Sequence, residues 1–116
     1  MPLIDYPQAL ERVGGDRELL AELAGLFLDE YPRLLSASNA GIENNDLPAT
    51  AGSAHQLKGL LAQFGSEQGR LLAFALESAA KSGDMSAASD VFAQLSTHLD
   101  TLHDTFVRLS QGEDIV

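Results

Sequence analysis

The residues in this chain best suited to chemistry sit together in Ala54-His55-Gln56-Leu57-Lys58-Gly59. An unperturbed imidazole, with a pKa of about 6.5, is largely neutral near pH 7 and is a good nucleophile. An ammonium one turn along the same helix can reach it and can offset negative charge that develops beside it. A glycine next to both keeps the surface low. These are the parts of an exposed nucleophile that another protein approaches closely. The plain alternative is a solvated histidine with no role.

The direction in which His55 points follows from spacing. Ala54, Leu57, Leu61 and Phe64 recur at intervals of three and four and form one apolar stripe. At about 100° per residue, His55 lies roughly 140° from the centre of that stripe and faces solvent. Lys58 falls at the boundary on the same side, the only cation between Arg33 and Arg70. The rest of the exposed face is Pro48, Ala51, Gly52, Gly59 and Ala62. Two glycines inside a helix cost about 1 kcal/mol each relative to alanine, and close approach by a partner is a use that would offset it. Ala51, Gly52, Gly59 and Ala62 are therefore the expected docking surface.

Composition bounds what such a site can serve. A chain of 116 residues is one domain with one core. It has no cysteine, so disulfides and thiolate metal sites are excluded. Its 17 acidic and 7 basic residues give a formal charge of −10, which repels nucleic acid and anionic membranes. No glycine-rich loop has phosphate-cradling spacing, which argues against a nucleotide site. Met1 to Asp16 lacks the features of a signal peptide, and no stretch approaches the roughly 18 apolar residues of a membrane span. A cytoplasmic protein without a cofactor is expected, and Met1 with a full set of helices favours a free-standing one.

The helices that carry the site can be laid out in order. Asp5 caps a short helix with Pro7 in its first turn, ended by Gly14-Gly15 and expected to lie across one end of a bundle. Asp16 caps a long helix whose apolar face runs Leu20, Leu23, Phe27, Tyr31, Leu34 and Ile42, in phase through a bend at Pro32. Asn45 or Asp46 caps the His55 helix, about Leu47 to Phe64. Gly65 ends it and Ser66 caps the next, whose inward stripe reads Leu72, Ala75, Leu76 and Ala79. Asp84 opens the last, with a seam from Met85 through Leu95 and Leu102 to Leu109. That seam could pair two chains, but three other helices are available to cover it, so a monomer is expected. The fold class is all-α, an antiparallel four-helix bundle with a short extra N-terminal helix. One domain fills residues 1–116, with its core at about 5–110 and a frayed tail at 111–116.

The turn at Gly65 is so short that its two helices must run antiparallel. Equal distances from it bring Glu77 near the level of His55, where it either orients the imidazole or is simply solvated. Asp100-x-x-His103 has the spacing of a metal pair, but di-metal bundles need several such copies. His98 and His103 therefore read as boundary or surface residues.

Ala54-His55-x-Leu57-Lys58-Gly59, Phe64-Gly65, Leu76-Glu77 and Ser82-Gly83-Asp84 together resemble a histidine-containing phosphotransfer (HPt) domain. Upstream, Gly14-Gly15-Asp16-x-x-Leu19-Leu20 and Phe27-x-x-Glu30-x-Pro32-x-Leu34-Leu35 fit as well. The likeness covers about Leu10 to Leu109. It departs at Leu60-Leu61, where many members carry small residues. The resemblance implies relay of a phosphoryl group between receiver domains of a hybrid sensor kinase or response regulator, with His55 as acceptor through its outer ring nitrogen. It implies Lys58 as charge stabiliser, Glu77 as a polar partner for the ring and Lys81 at the rim. The receiver would bring the aspartate and Mg²⁺, and the chain would have no kinase activity of its own. Two rival readings are a helical adaptor in which His55 is incidental and a metal-binding bundle enzyme.

Overall fold

Four of the five helices begin where a side chain accepts a backbone N–H that the first turn leaves unpaired. In the computed structural model, which describes residues 3–115, the order is α1 Tyr6–Arg12, α2 Arg17–Glu43, α3 Leu47–Gln63, α4 Glu67–Lys81 and α5 Met85–Ser110. Asp5, Asp16, Asp46 and Asp84 accept from the third residue beyond them, at 3.0 to 3.3 Å. Ser66 occupies the corresponding position before α4, but its hydroxyl makes no capping bond. That hydroxyl is buried without a partner, so the expected serine cap is one in position only. Gly14, Gly15, Gly65 and Gly83 take positive φ at the turns, where glycine is the residue without a steric penalty.

α2 to α5 form an antiparallel bundle, the four-helix architecture expected. Helix α2 packs on α3 and α5, and α4 packs on the same two. α2 runs unbroken through Pro32. α1 lies across the end of the bundle at the α3–α4 turn. Its capping residue Asp5 donates its backbone N–H to the carbonyls of Phe64 and Gly65, each at 3.2 Å, and Arg12 bonds the carbonyl of Ala62. The core closes on three rings. Phe27 stacks on Phe106 at 4.0 Å between centroids, and Phe64 meets Phe27 and Phe106 edge-on at 5.7 and 4.8 Å. Such pairs add about 0.5–1.5 kcal/mol beyond the area they bury. The α5 seam is buried within the one chain, from Ala88 to Leu109.

The α2–α3 contact is polar and tight. Ser38 and Ser53 hydroxyls lie 2.6 Å apart, and Thr50 donates to the Ser38 carbonyl at 2.9 Å, all fully or nearly fully buried. A Cβ on Gly41 would strike the Thr50 side chain and stand 2.8 Å from the Asp46 carbonyl. Backbone approach this close, with hydroxyls matched across it, fixes the roll of α3 against α2 and with it the direction of every side chain on α3.

α4 is rolled by about one residue's step, some 100°, from the expected stripe. Its buried residues are Gly69, Ala73, Leu76, Glu77 and Ala80, and Leu72, Ala75 and Ala79 are only half buried. Small side chains let α4 come close to its neighbours, and that outweighs burying Leu72. The tail also differs from the frayed end expected. Asp114 accepts from the Tyr6 hydroxyl at 2.9 Å and pairs with Arg17 at 3.0 Å, and Glu113 pairs with Arg108 at 2.7 Å. Residues 111–115 are therefore tied down; Met1, Pro2 and Val116 lie outside the described residues.

Candidate functional site

His55 stands on α3 with 65 % of its side chain exposed, at the α3–α4 seam. Facing it from α4 is Glu77, 3 % exposed, which the roll of α4 turns inward. Its carboxylate accepts from three donors. His55 Nδ1 lies 2.9 Å from Oε2, Lys58 Nζ donates to Oε1 at 2.7 Å and Lys81 Nζ stands 3.1 Å from Oε2. A carboxylate taken out of water is unfavourable unless its charge is matched and its lone pairs filled, and here both conditions are met. The Lys58 ammonium, aided by Lys81 and His55, outweighs burial and holds the Glu77 carboxyl down at about 2.

This fixes the state of the ring. An ionised carboxylate can only accept. Nδ1 of His55 must therefore carry a hydrogen, and in the neutral ring this tautomer puts the lone pair on Nε2. One nitrogen is held and the other faces away from the carboxylate.

The surface around the ring is bare. A Cβ added to Gly52 or Gly59 would meet nothing within 4 Å, and both are exposed. Their helix cost of about 1 kcal/mol each thus returns nothing in internal packing. Gly41 and Gly69 differ, since each has close neighbours. Ala62 is half buried at the margin, where Arg12 bonds its carbonyl. Ala51, expected on the same face, is only 9 % exposed. It is seven residues before Lys58, hence on the same flank, the one from which Lys58 reaches Glu77 on α4.

The other histidines take no part. His98 is buried between α4 and α5, with Nε2 unpartnered, and burial lowers its pKa, so it is not the boundary or surface residue expected. His103 is exposed, and its Nδ1 pairs with the Tyr31 hydroxyl at 2.8 Å. Among the described residues no three His, Asp or Glu side chains converge as metal ligands, and no helix is long and apolar enough to cross a membrane. Two features of the site were not read from the sequence: Lys81 as a direct partner of Glu77, and Phe74, whose ring centroid lies 5.3 Å from Lys58 Nζ. The first has a local signal, the i,i+4 spacing of Glu77 and Lys81.

The Hpt domain profile matches residues 22–105, most of the chain. The chain belongs to the Hpt domain family. Hpt domains carry phosphoryl groups by way of a histidine in two-component phosphorelays, as intermediates that interact with receiver domains. The fold of this Hpt domain is similar to that of a histidine-containing phosphotransfer protein from maize, ZmHP2. The TM-score is 0.79 at 23 % identity, over 94 % of this chain and 86 % of that one. No curated protein matches the chain.

Proposed function

We propose that His55 is the phosphoacceptor of this Hpt domain and that Nε2 is the attacking atom. The observation that carries this is the pairing of an exposed ring with a buried, ionised carboxylate at Nδ1. The Nε2 lone pair attacks the phosphorus of an aspartyl phosphate on a receiver domain. The P–N bond forms as the P–O bond to the aspartate breaks, and the electron pair leaves with that carboxylate. The ring gains positive charge as its lone pair is given up. Glu77 offsets that charge through Nδ1–H without taking the proton, so the same arrangement serves transfer in either direction.

Lys58 supplies the cation for the phosphoryl oxygens, and Lys81 is a second within reach of the same carboxylate. Gly52 and Gly59, with Ala62 at the margin, form the face on which the receiver sits. The receiver brings the aspartate and its Mg²⁺; this domain binds no cofactor and has no ATP-dependent kinase activity. Its partners are receiver domains of a hybrid sensor kinase or a response regulator. It acts as a monomer, in the cytoplasm, as one domain over the chain.

The test is incubation of the purified protein with phosphorylated receivers. Acid-labile, base-stable label on wild-type protein and none on His55→Gln is the expected result. Label that persists in His55→Gln overturns the assignment.

A further inference from the structure

Phe74 is a large apolar side chain left 50 % exposed on α4, three residues before Glu77. Its ring centroid lies 5.3 Å from Nζ of Lys58, inside the roughly 6 Å over which an aromatic face attracts a cation. The same ammonium donates to Oε1 of Glu77 at 2.7 Å. Two positions three residues apart on α4 thus contact one ammonium that belongs to α3.

A lysine head sits on a flexible four-carbon stem, so a single ion pair leaves much of its motion free. The carboxylate fixes how far Nζ can stray from Glu77; it does not fix the side from which Nζ approaches. An aromatic face beside it does. We propose that Phe74 is a positioning residue for Lys58, keeping the ammonium over the α3–α4 seam beside the carboxylate that also binds His55. The proposal rests on the phosphotransfer reading of the site. During transfer the ammonium has to share itself between Glu77 and the phosphoryl oxygens. A π face has no single bonding direction, so Phe74 retains its hold while Nζ turns toward the new charge. An exposed phenyl that packs into no core is thereby given a use.

Two substitutions separate the ring face from mere apolar bulk. Phe74→Leu keeps an apolar side chain and removes the π face; Phe74→Tyr keeps the face. In single-turnover transfer from a phosphorylated receiver, F74L is expected to be about two- to fivefold slower. The half-saturating receiver concentration stays unchanged, and F74Y runs at the wild-type rate. In a Lys58→Ala background F74L causes no further slowing, because the group it positions is gone. Independently, the Lys58 ε-methylene protons show an upfield ring-current shift by NMR in wild type and F74Y that is lost in F74L.

Wild-type speed in F74L overturns the proposal. So does slowing that persists without Lys58, which would make Phe74 a receiver contact instead. If wild-type protein takes no phosphate, the phosphotransfer reading fails, and the ring-current shift still decides whether Phe74 holds Lys58; absence of that shift in wild type sinks the contact itself.

Discussion

His55 Nδ1 and Glu77 Oε2 stand 2.9 Å apart, on two helices joined by the turn at Gly65. A solvent-facing ring is bonded to a carboxylate that water barely reaches. The carboxylate is nonetheless ionised, since two ammoniums share it. Glu77 is therefore a fixed acceptor, and the Nδ1 edge of the ring is the edge that it engages.

Glu77→Gln tests that relationship. An amide keeps the shape and can still accept from Nδ1–H, but it carries no charge to match the lysines or the phosphorylated ring. Hydrogen bonds to ionised groups are about twice as strong as neutral ones. We expect single-turnover transfer to slow about tenfold, equivalent to about 1.4 kcal/mol, with the helical circular dichroism spectrum retained. An unchanged rate would show that the carboxylate's charge is not used in the transfer.

Gly59→Gln and Gly41→Ala make a contrasting pair. Gly59 has open space around it, so a larger residue should leave the melting temperature level or slightly higher, as expected when a helical glycine is replaced. Transfer from a receiver should fall at least tenfold, about 1.4 kcal/mol, because the side chain stands on the face proposed for the receiver. Gly41→Ala forces a methyl into the α2–α3 contact and should destabilise by about 1–3 kcal/mol. Thermal melts and transfer rates on both variants check this. A Gly59→Gln protein that transfers at full speed would remove the close-approach face.

Acid titration isolates the ion cluster. The Glu77 carboxyl titrates at about 2 in the folded chain, against about 4.5 ordinarily. Its contribution to stability is thus fully present above about 4.5, and it is lost as pH falls toward 2, where the unfolded chain binds the proton first. Urea melts of wild type and Glu77→Gln between pH 7 and pH 2 should show the wild-type advantage shrinking across that lower window. A constant difference would mean that the carboxylate gains nothing from its cations.

What could be read from the sequence follows the range of the interactions involved. His55, Lys58 and Gly59 lie within two turns of one helix, so their mutual placement needed only the helical period. Four aspartate caps and the turn glycines are equally local. The carboxylate was harder. Its level opposite His55 followed from counting back from Gly65, but its burial required the roll of α4. That roll is decided by Gly69, Ala73 and Ala80 fitting against neighbouring helices, which a stripe of large apolar residues does not reveal. Ala51 was misjudged for the same reason, since it lies on the flank from which Lys58 reaches α4. His98 fills space that Gly69 leaves beside it, and the Tyr6–Asp114 bond joins residues 108 apart. None of these contacts leaves a periodic trace.

The hydroxyl seam between α2 and α3 widens the map of positions at which signalling can be lost. Ser38 and Gly41 belong to α2, which supplies no side chain to the His55–Glu77–Lys58 cluster. They nonetheless set the bearing of His55, as a hinge plate sets the swing of a door. A random mutagenesis screen for silent relays should recover substitutions there alongside those at His55 itself, in chains that still fold and still lack function.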